Sequence, residues 1–188
     1  MRIICLIAAL LLTACSSQPP VTETYLLRSQ VATGAGTPVI DSGVALGHIE
    51  VASYIDQPGL VLETGDGTIH AARNHLWAEP LQISLRRYLA TQISGAVGRD
   101  VGATTSAATL TRIDVTVDQL HGNGRGAAVL VAYWQIDDKA GNKSFRFSEQ
   151  EALSGGGYGA LVQAEEALLR RLADAIAASL PPAVAPPG

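Results

Sequence analysis

The spacing of apolar residues constrains the fold most, because it changes from strand-like to helical twice along the chain. A first helix is predicted over residues 79–96, with Pro80 in its first turn, where a missing N–H is harmless. A second is predicted over about 160–180, before Pro181 and Pro182. The residues at helical spacing are Leu81, Leu85, Tyr88, Leu89 and Ile93 in the first helix, and Leu161, Ala164 or Glu165, Leu168, Leu172, Ile176 and Leu180 in the second. Both helices are therefore amphipathic.

Strand-like segments make up most of the remaining body. Strands are predicted at residues 25–27, 44–51, 60–63, 68–71, 113–117, 127–136 and 145–148. Residues 127–136 are apolar on both faces, which is typical of a central strand covered on both sides. Turns at 121–126 and 137–142 would join the last three strands into an antiparallel meander. The pattern predicts an α/β fold with two long amphipathic helices on a mixed, mostly antiparallel sheet, in one domain over residues 25–180.

The first 14 residues have the composition of a secretory signal. Arg2 precedes an almost uninterrupted apolar run from Ile3 to Leu12, and small residues follow it. The run is too short to span a membrane, which takes about 20 residues. Residues 1–14 are therefore expected to be removed after export.

The end of this signal resembles the lipobox of bacterial lipoproteins. Leu12, Thr13 and Ala14 would be read by the signal peptidase, and Cys15 would carry the lipid. Two or more acyl chains anchor a protein stably, so the body would be attached to a membrane through Cys15. Ser16 stands where Asp commonly retains lipoproteins at the inner membrane, which favours the periplasmic face of the outer membrane. The alternative is a plain secretory signal with an incidental cysteine.

Two segments flank the predicted domain. Residues 15–24 are polar and contain prolines, and they read as a tether between the lipid and the body. Residues 181–188 are rich in proline and are expected to be disordered.

Composition and motifs exclude several classes of function. A net charge of −4 argues against nucleic-acid binding, and Cys5 and Cys15 are too few for a disulfide framework or a Cys-rich zinc site. The four histidines, at positions 48, 70, 75 and 121, fit no metal-ligand spacing. No G-x-S-x-G elbow or P-loop occurs. We therefore expect no catalytic residue, no metal and no cofactor.

The central stretch carries a family resemblance. It reads Gly47-His48-Ile49, Tyr54-Ile55-Asp56-Gln57-Pro58, Val61-Leu62-Glu63-Thr64 and His75-Leu76-Trp77-Ala78-Glu79-Pro80-Leu81. Further matches are Tyr25-Leu26-Leu27 and, before the second helix, Tyr158, Leu161, Val162 and Ala164. Together they resemble the PqiC/YmbA-type auxiliary lipoproteins of ABC-type and MCE lipid-transport systems. The turn Tyr54-Ile55-Asp56-Gln57-Pro58 departs from the family pattern and leaves the partner subtype open.

The resemblance implies a three-layer α/β sandwich with a mixed sheet and no catalytic role. It implies a docking subunit at the outer membrane that works beside an MCE-domain tunnel protein and its permease and ABC components. It also implies a homo-oligomer and a contribution to membrane integrity. The alternative hypothesis is a lipoprotein that itself binds and carries a lipid or another hydrophobic ligand.

Two local segments keep two interpretations each. Trp77, Glu79 and Pro80 read either as a helix start, with the Trp packed on the first turns, or as an exposed aromatic anchor for a partner. With Tyr158 they are the candidate partner-binding residues. The Gly-rich run 154–159 is either a connector or a loop that meets a lipid headgroup or a partner.

Overall fold

The computed structural model describes residues 20–28, 41–102 and 111–181, which form eight strands in one sheet and two helices. Signal and lipobox residues 1–15 lie outside the described residues, as do residues 182–188 of the expected tail. The elements in chain order are β1 Glu23–Tyr25, β2 Asp41–Val51, β3 Gly59–Glu63, β4 Ile69–Trp77, α1 Leu81–Val97, β5 Asp100–Gly102, β6 Thr111–Asn123, β7 Ala127–Asp138, β8 Gly141–Ala152 and α2 Tyr158–Ser179.

Strand β6 is the centre of the sheet. Along one edge it pairs antiparallel with β7, which pairs antiparallel with β8. Its other edge is shared: the first half of β6 pairs parallel with β2, and its end pairs parallel with β3. Outside these, β5 is parallel to β2, β4 is antiparallel to β3, and β1 is parallel to β4. The longest ladders are the antiparallel ones of the predicted meander.

Both helices pack against one face of this sheet. Helix α1 contacts β2 and β5, helix α2 contacts β6, β7 and β8, and the helices contact each other. One hydrophobic cluster joins the helices to the sheet, and its fully buried members include Leu85, Leu89, Ile113, Leu130 and Leu168. The predicted α/β class, the mixed sheet and the two amphipathic helices are confirmed. The described residues form two layers, the sheet and the helix pair, where the resemblance implied three.

The boundaries of several elements differ from those predicted. Strand β6 continues through His121, Gly122 and Asn123, where a turn was expected. The turn comes later because the Asn123 side chain accepts hydrogen bonds from the backbone N–H groups of Arg125 and Ala127, at 3.0 and 3.1 Å. Local capping by an Asn side chain thus decides where the chain reverses.

Other boundaries shift by one or a few residues. Pro80 was expected in the first turn of α1 but lies at its N-cap, because its ψ of 128° is extended rather than helical. Strand β4 runs on to Trp77, well beyond the predicted 68–71. Strand β1 begins at Glu23, so the last two residues of the predicted tether are paired with the sheet. Strand β7 is buried continuously only from Ala128 to Ala132 and alternates after that.

Candidate functional site

The first ordered strand after the predicted tether is joined to the segment that carries the family resemblance. Strand β1 lies parallel to the end of β4, and Tyr25 is opposite Trp77 in the register. The backbone N–H of Ala78 donates to the carbonyl oxygen of Tyr25 at 2.7 Å. Two residues further on, Leu27 is buried in the core. The point at which the tether enters the body is therefore fixed by strand pairing and by packing.

Side chains reinforce this junction, which we call the tether corner: Glu23, Tyr25, His75 and Tyr158. The His75 ring stacks on the ring of Tyr158, the first residue of α2, with centroids 4.2 Å apart. The centroid of the Tyr25 ring lies 6.0 Å from that of His75. Offset aromatic stacks of this spacing add about 0.5–1.5 kcal/mol beyond the area they bury. The corner therefore holds β1, β4 and α2 together.

A short hydrogen-bond chain runs through the tether corner. The Tyr25 hydroxyl donates to Glu23 Oε2 at 2.7 Å and lies 3.0 Å from His75 Nδ1. Because the Tyr25 hydroxyl donates its only proton to Glu23, its oxygen acts as the acceptor towards His75. The contact therefore fits a His75 ring that is protonated on Nδ1 and donates to the phenol oxygen. Burial, followed by the hydrogen bond and charge of Glu23, raises the pKa of Tyr25 to about 12. The phenol therefore stays protonated and available as a donor.

The candidate residues Trp77, Glu79 and Pro80 are used by the fold as a helix start. Trp77 is 8 % exposed, and its backbone N–H donates to the carbonyl of Pro58 at 2.7 Å. Glu79 accepts from Ser84 Oγ at 2.7 Å and from Arg87 Nη2 at 2.6 and 2.5 Å. The hydrogen bond from Arg87, then that from Ser84, holds the pKa of Glu79 below its usual range. The interpretation of Trp77 as an exposed anchor is therefore wrong for this structure, because its side chain belongs to the core.

The structure brings the other candidate, Tyr158, to the same corner through its stack on His75. Sequence reasoning missed the roles of Glu23 and His75. The missing information was the parallel pairing of β1 with β4, since nothing in a single sequence states which distant strand a three-residue strand will join. An aromatic residue at position 25 next to a carboxylate at position 23 was the only local signal.

The histidines do not come together. His48 is on β2, His70 and His75 are on β4, and His121 is on β6. Within the described ranges, no group of three or more His, Cys, Asp or Glu side chains could hold a metal ion. Neither of the two described helices is long and apolar enough to cross a membrane.

Solved structures share this arrangement of sheet and helices. The crystal structure of an uncharacterized protein superposes with a TM-score of 0.73 at 23% sequence identity and covers 85% of this chain and 98% of that chain. A protein from Xanthomonas campestris superposes with a TM-score of 0.63 at 15% identity and covers 83% and 93%. At these identities the likeness defines the class of fold: an α/β body with one mixed sheet and a pair of helices on it.

Sequence comparison then gives the family. The family described as "ABC-type transport auxiliary lipoprotein component" matches residues 25–177, which is nearly the whole described body. The chain belongs to this family. The Escherichia coli (strain K12) protein named "Intermembrane transport lipoprotein PqiC" is 28% identical over 134 residues, which are 70% of this chain and 71% of that protein. The Shigella flexneri protein of the same name matches equally.

Proposed function

We propose that this chain is a lipid-anchored, non-catalytic subunit that docks the tunnel of an MCE/ABC-type lipid-transport complex at the periplasmic face of the outer membrane. Membership of the auxiliary lipoprotein family supports the transport role. The name of the PqiC relatives supports transport between two membranes. By supplying lipids to the envelope, such a subunit would contribute to membrane integrity, and several copies would surround the tunnel.

The observation that carries this proposal is the rigid tether corner. Glu23 in β1 lies eight positions after the lipobox cysteine, Cys15, a reach of at most about 26 Å at ~3.3 Å per residue. Because β1 is paired with β4, and His75 of β4 stacks on Tyr158 of α2, a lipid on Cys15 would limit how far this corner of the body can lie from the membrane. A body whose tether corner is kept near the membrane is suited to hold one end of a tunnel.

Lipidation is tested by metabolic labelling with palmitate. The wild type and Cys5→Ser are expected to take up label, while Cys15→Ser is expected to remain unlabelled and to leave the membrane fraction. Cys5→Ser is the matched control, since Cys5 lies in the segment that would be removed. Label on Cys15→Ser, or an unlabelled wild type, would contradict the anchor.

Docking is tested by site-specific cross-linking in cells that express the MCE-domain protein and its permease. A photo-reactive residue at Ala78, which is exposed beside Trp77 and Glu79, is expected to cross-link to the MCE-domain protein. The same residue at Lys139, in the turn between β7 and β8, serves as the control. Cross-links from Lys139 alone would place the interface elsewhere and would count against the tether corner as the docking side.

The alternative, a lipid carrier, is separated from docking by one measurement on the purified lipoprotein. Phospholipid bound at about one molecule per chain, found by mass spectrometry after the detergent has been exchanged, would favour the carrier. Its absence, with retained binding of the MCE-domain protein, would favour docking.

A further inference from the structure

A cleft of about 430 Å³ opens on the sheet face opposite the helices. Its walls come from the loop after β2, the β3–β4 hairpin and the end of β6, and its lining includes Tyr54, Glu63, Ile69, Asp118, Gln119 and His121. Gly122 of β6 faces the helices, because a Cβ at this position would contact Leu161 of α2. His121, the preceding residue of the strand, therefore points away from the helices.

His121 presents one ring nitrogen to this cleft. The residue is 5 % exposed, and the Tyr54 ring meets it edge-on with centroids 6.1 Å apart. His121 Nδ1 lies 3.1 Å from the carbonyl oxygen of Gly122, which can only accept, so this contact requires a proton on Nδ1. In the tautomer with its single proton on Nδ1, Nε2 is a lone-pair acceptor, and no hydrogen bond to Nε2 is found within the described residues. A buried imidazole thus offers an unused acceptor at the cleft.

Besides Gln119, whose side-chain amide can both donate and accept, the cleft contains further acceptors. Glu63 at the end of β3 and Asp118 in β6 bring two carboxylates, and the described part of the chain gives neither of them an ion-pair partner. Their charges act on Tyr54: burial, then the charge of Asp118, then that of Glu63, raises the pKa of Tyr54 to about 12. The phenol of Tyr54 therefore stays neutral beside the two carboxylates, and a cation that stacked on its ring would also be attracted by the ring's π-system.

We propose that this cleft binds the guanidinium group of an arginine side chain from a partner protein. A guanidinium has five N–H donors in a planar fork, which suits two carboxylates and an imidazole acceptor, and it stacks on aromatic rings such as Tyr54. The two carboxylates repel phosphate, which argues against a phospholipid headgroup as the occupant. The described residues also form no cluster of three ligands for a metal.

The inference is independent of the lipid anchor and of the tether corner, since the cleft lies on β6 and the β3–β4 hairpin. Its failure would leave the proposed transport role intact. A second contact surface, away from the corner, would give the anchored body a way to recognise one particular protein by charge.

The test uses the full-length lipoprotein in a non-ionic detergent and three probes. N-acetyl-arginine amide is the ligand, N-acetyl-citrulline amide is its neutral isostere, and O-phosphoethanolamine represents a lipid headgroup. Binding is measured by saturation-transfer NMR, and the His121 ring resonances report the location. We expect saturable binding of the arginine amide with a shift at His121, and about tenfold or greater weakening by Asp118→Asn or Glu63→Gln.

Asp137→Asn is the matched control, because Asp137 is an exposed carboxylate on the same sheet face at the other end of β7. It is expected to change the arginine affinity by less than about twofold, which is the size of a general charge effect. Thermal unfolding of each variant verifies its fold, and if one fails to fold the other decides. Equal binding of citrulline amide, equal weakening by Asp137→Asn, or tighter binding of O-phosphoethanolamine would each overturn the proposal.

Discussion

The two faces of the sheet differ in burial and in the type of contact that their side chains make, and both kinds of face can be seen on β6. On the side of the helices, Ile113, Val115 and Val117 are at most 1 % exposed and belong to the common core. On the opposite face, Arg112 pairs with Asp114 at 2.6 Å, and Asp114 also accepts the backbone N–H of His48 at 2.6 Å. In this part of β6 the first face is stabilised by burial, while the second carries exposed polar side chains with local contacts.

In β6, side chains do not alternate regularly between the two faces along the whole strand, because its pairing with β7 contains one irregularity. The register with β7 shifts between Val117 and Gln119, so one residue is added to the strand. Before the shift the odd-numbered residues face the core, and after it the even-numbered Leu120 and Gly122 do. Without the shift, His121 would point into the core. The bulge thus places an imidazole in the cleft of the opposite face.

The largest expected effect comes from shortening a core side chain of β6 and comparing it with its neighbour on the other face. Ile113→Ala should lower the free energy of unfolding by about 2–5 kcal/mol, because it removes a fully buried side chain and leaves a cavity. Thr116→Ala, on the exposed side, should cost less than about 1 kcal/mol. Urea unfolding followed by Trp77 and Trp134 fluorescence measures both. Equal losses would remove the distinction between the faces.

Glu165 is the exception on the core face, and it should make stability depend on pH. It is 1 % exposed, its Oε2 has no partner in the described residues, and burial raises its pKa to about 8. The native state therefore keeps a proton that the unfolded chain releases near pH 4.5, the ordinary value. Stability should fall as the pH rises from about 4.5 to about 8, by at most ~1.4 kcal/mol per pH unit, and then level off.

Glu165→Leu should flatten this decline and stabilise the protein at pH 8, since an apolar side chain has no charge to bury. Asp174→Asn, an exposed change on the same helix, should leave the slope unaltered. Urea midpoints measured from pH 5 to pH 9 give the answer. A wild type whose stability stays constant over that range would mean that Glu165 is not held protonated.

Gly122 tests how closely the end of β6 is packed against α2. A Cβ there would lie 2.5 Å from Leu62 Cδ2 and 3.1 Å from Leu161 Cδ1. Gly122→Ala should therefore destabilise by about 1–3 kcal/mol through overpacking. Gly159→Ala is the control: nothing lies within 4 Å of its Cβ, and a helical Ala should stabilise by about 0.5–1 kcal/mol. Equal shifts in the melting temperatures would show that β6 and α2 can separate without cost.

Sequence reasoning predicted what one element dictates by itself. The helical spacing of Leu161, Leu168 and Leu172 identified the buried face of α2, and the alternation in 113–117 identified the core face of β6. Each such pattern arises because one face of the element is buried in the common core, so it can be recognised without knowing which other element packs against that face. Cys15 and residues 12–14 form a local motif of the same kind, and their role stays a prediction outside the described residues.

What depends on pairing between distant segments could not be predicted. Strand β1 joins β4 across 50 residues, and this pairing alone brings Tyr25 to His75. The bulge at 117–119 is an adjustment to β7 and breaks the alternation that a sequence pattern relies on, so His121 was assigned to a turn. The cleft residues Tyr54, Glu63 and Asp118 come from three separate segments of the chain, so the cleft had no local signature in the sequence.

The smallest expected effect is on stability, and it comes from removing one hydroxyl group in the tether corner and comparing this with the removal of a hydroxyl group elsewhere on the surface. Tyr25→Phe keeps the ring beside His75 but removes the hydroxyl that donates to Glu23, so it should cost at most about 1 kcal/mol. Tyr133→Phe removes a hydroxyl from a side chain that is 42% exposed on the opposite face, and should cost nothing measurable. Hydrogen exchange at the Ala78 amide, which donates to Tyr25, gives a local readout. If the corner holds the tether in place, that amide exchanges faster in Tyr25→Phe and unchanged in Tyr133→Phe; equal protection in both would mean that backbone pairing alone fixes the junction.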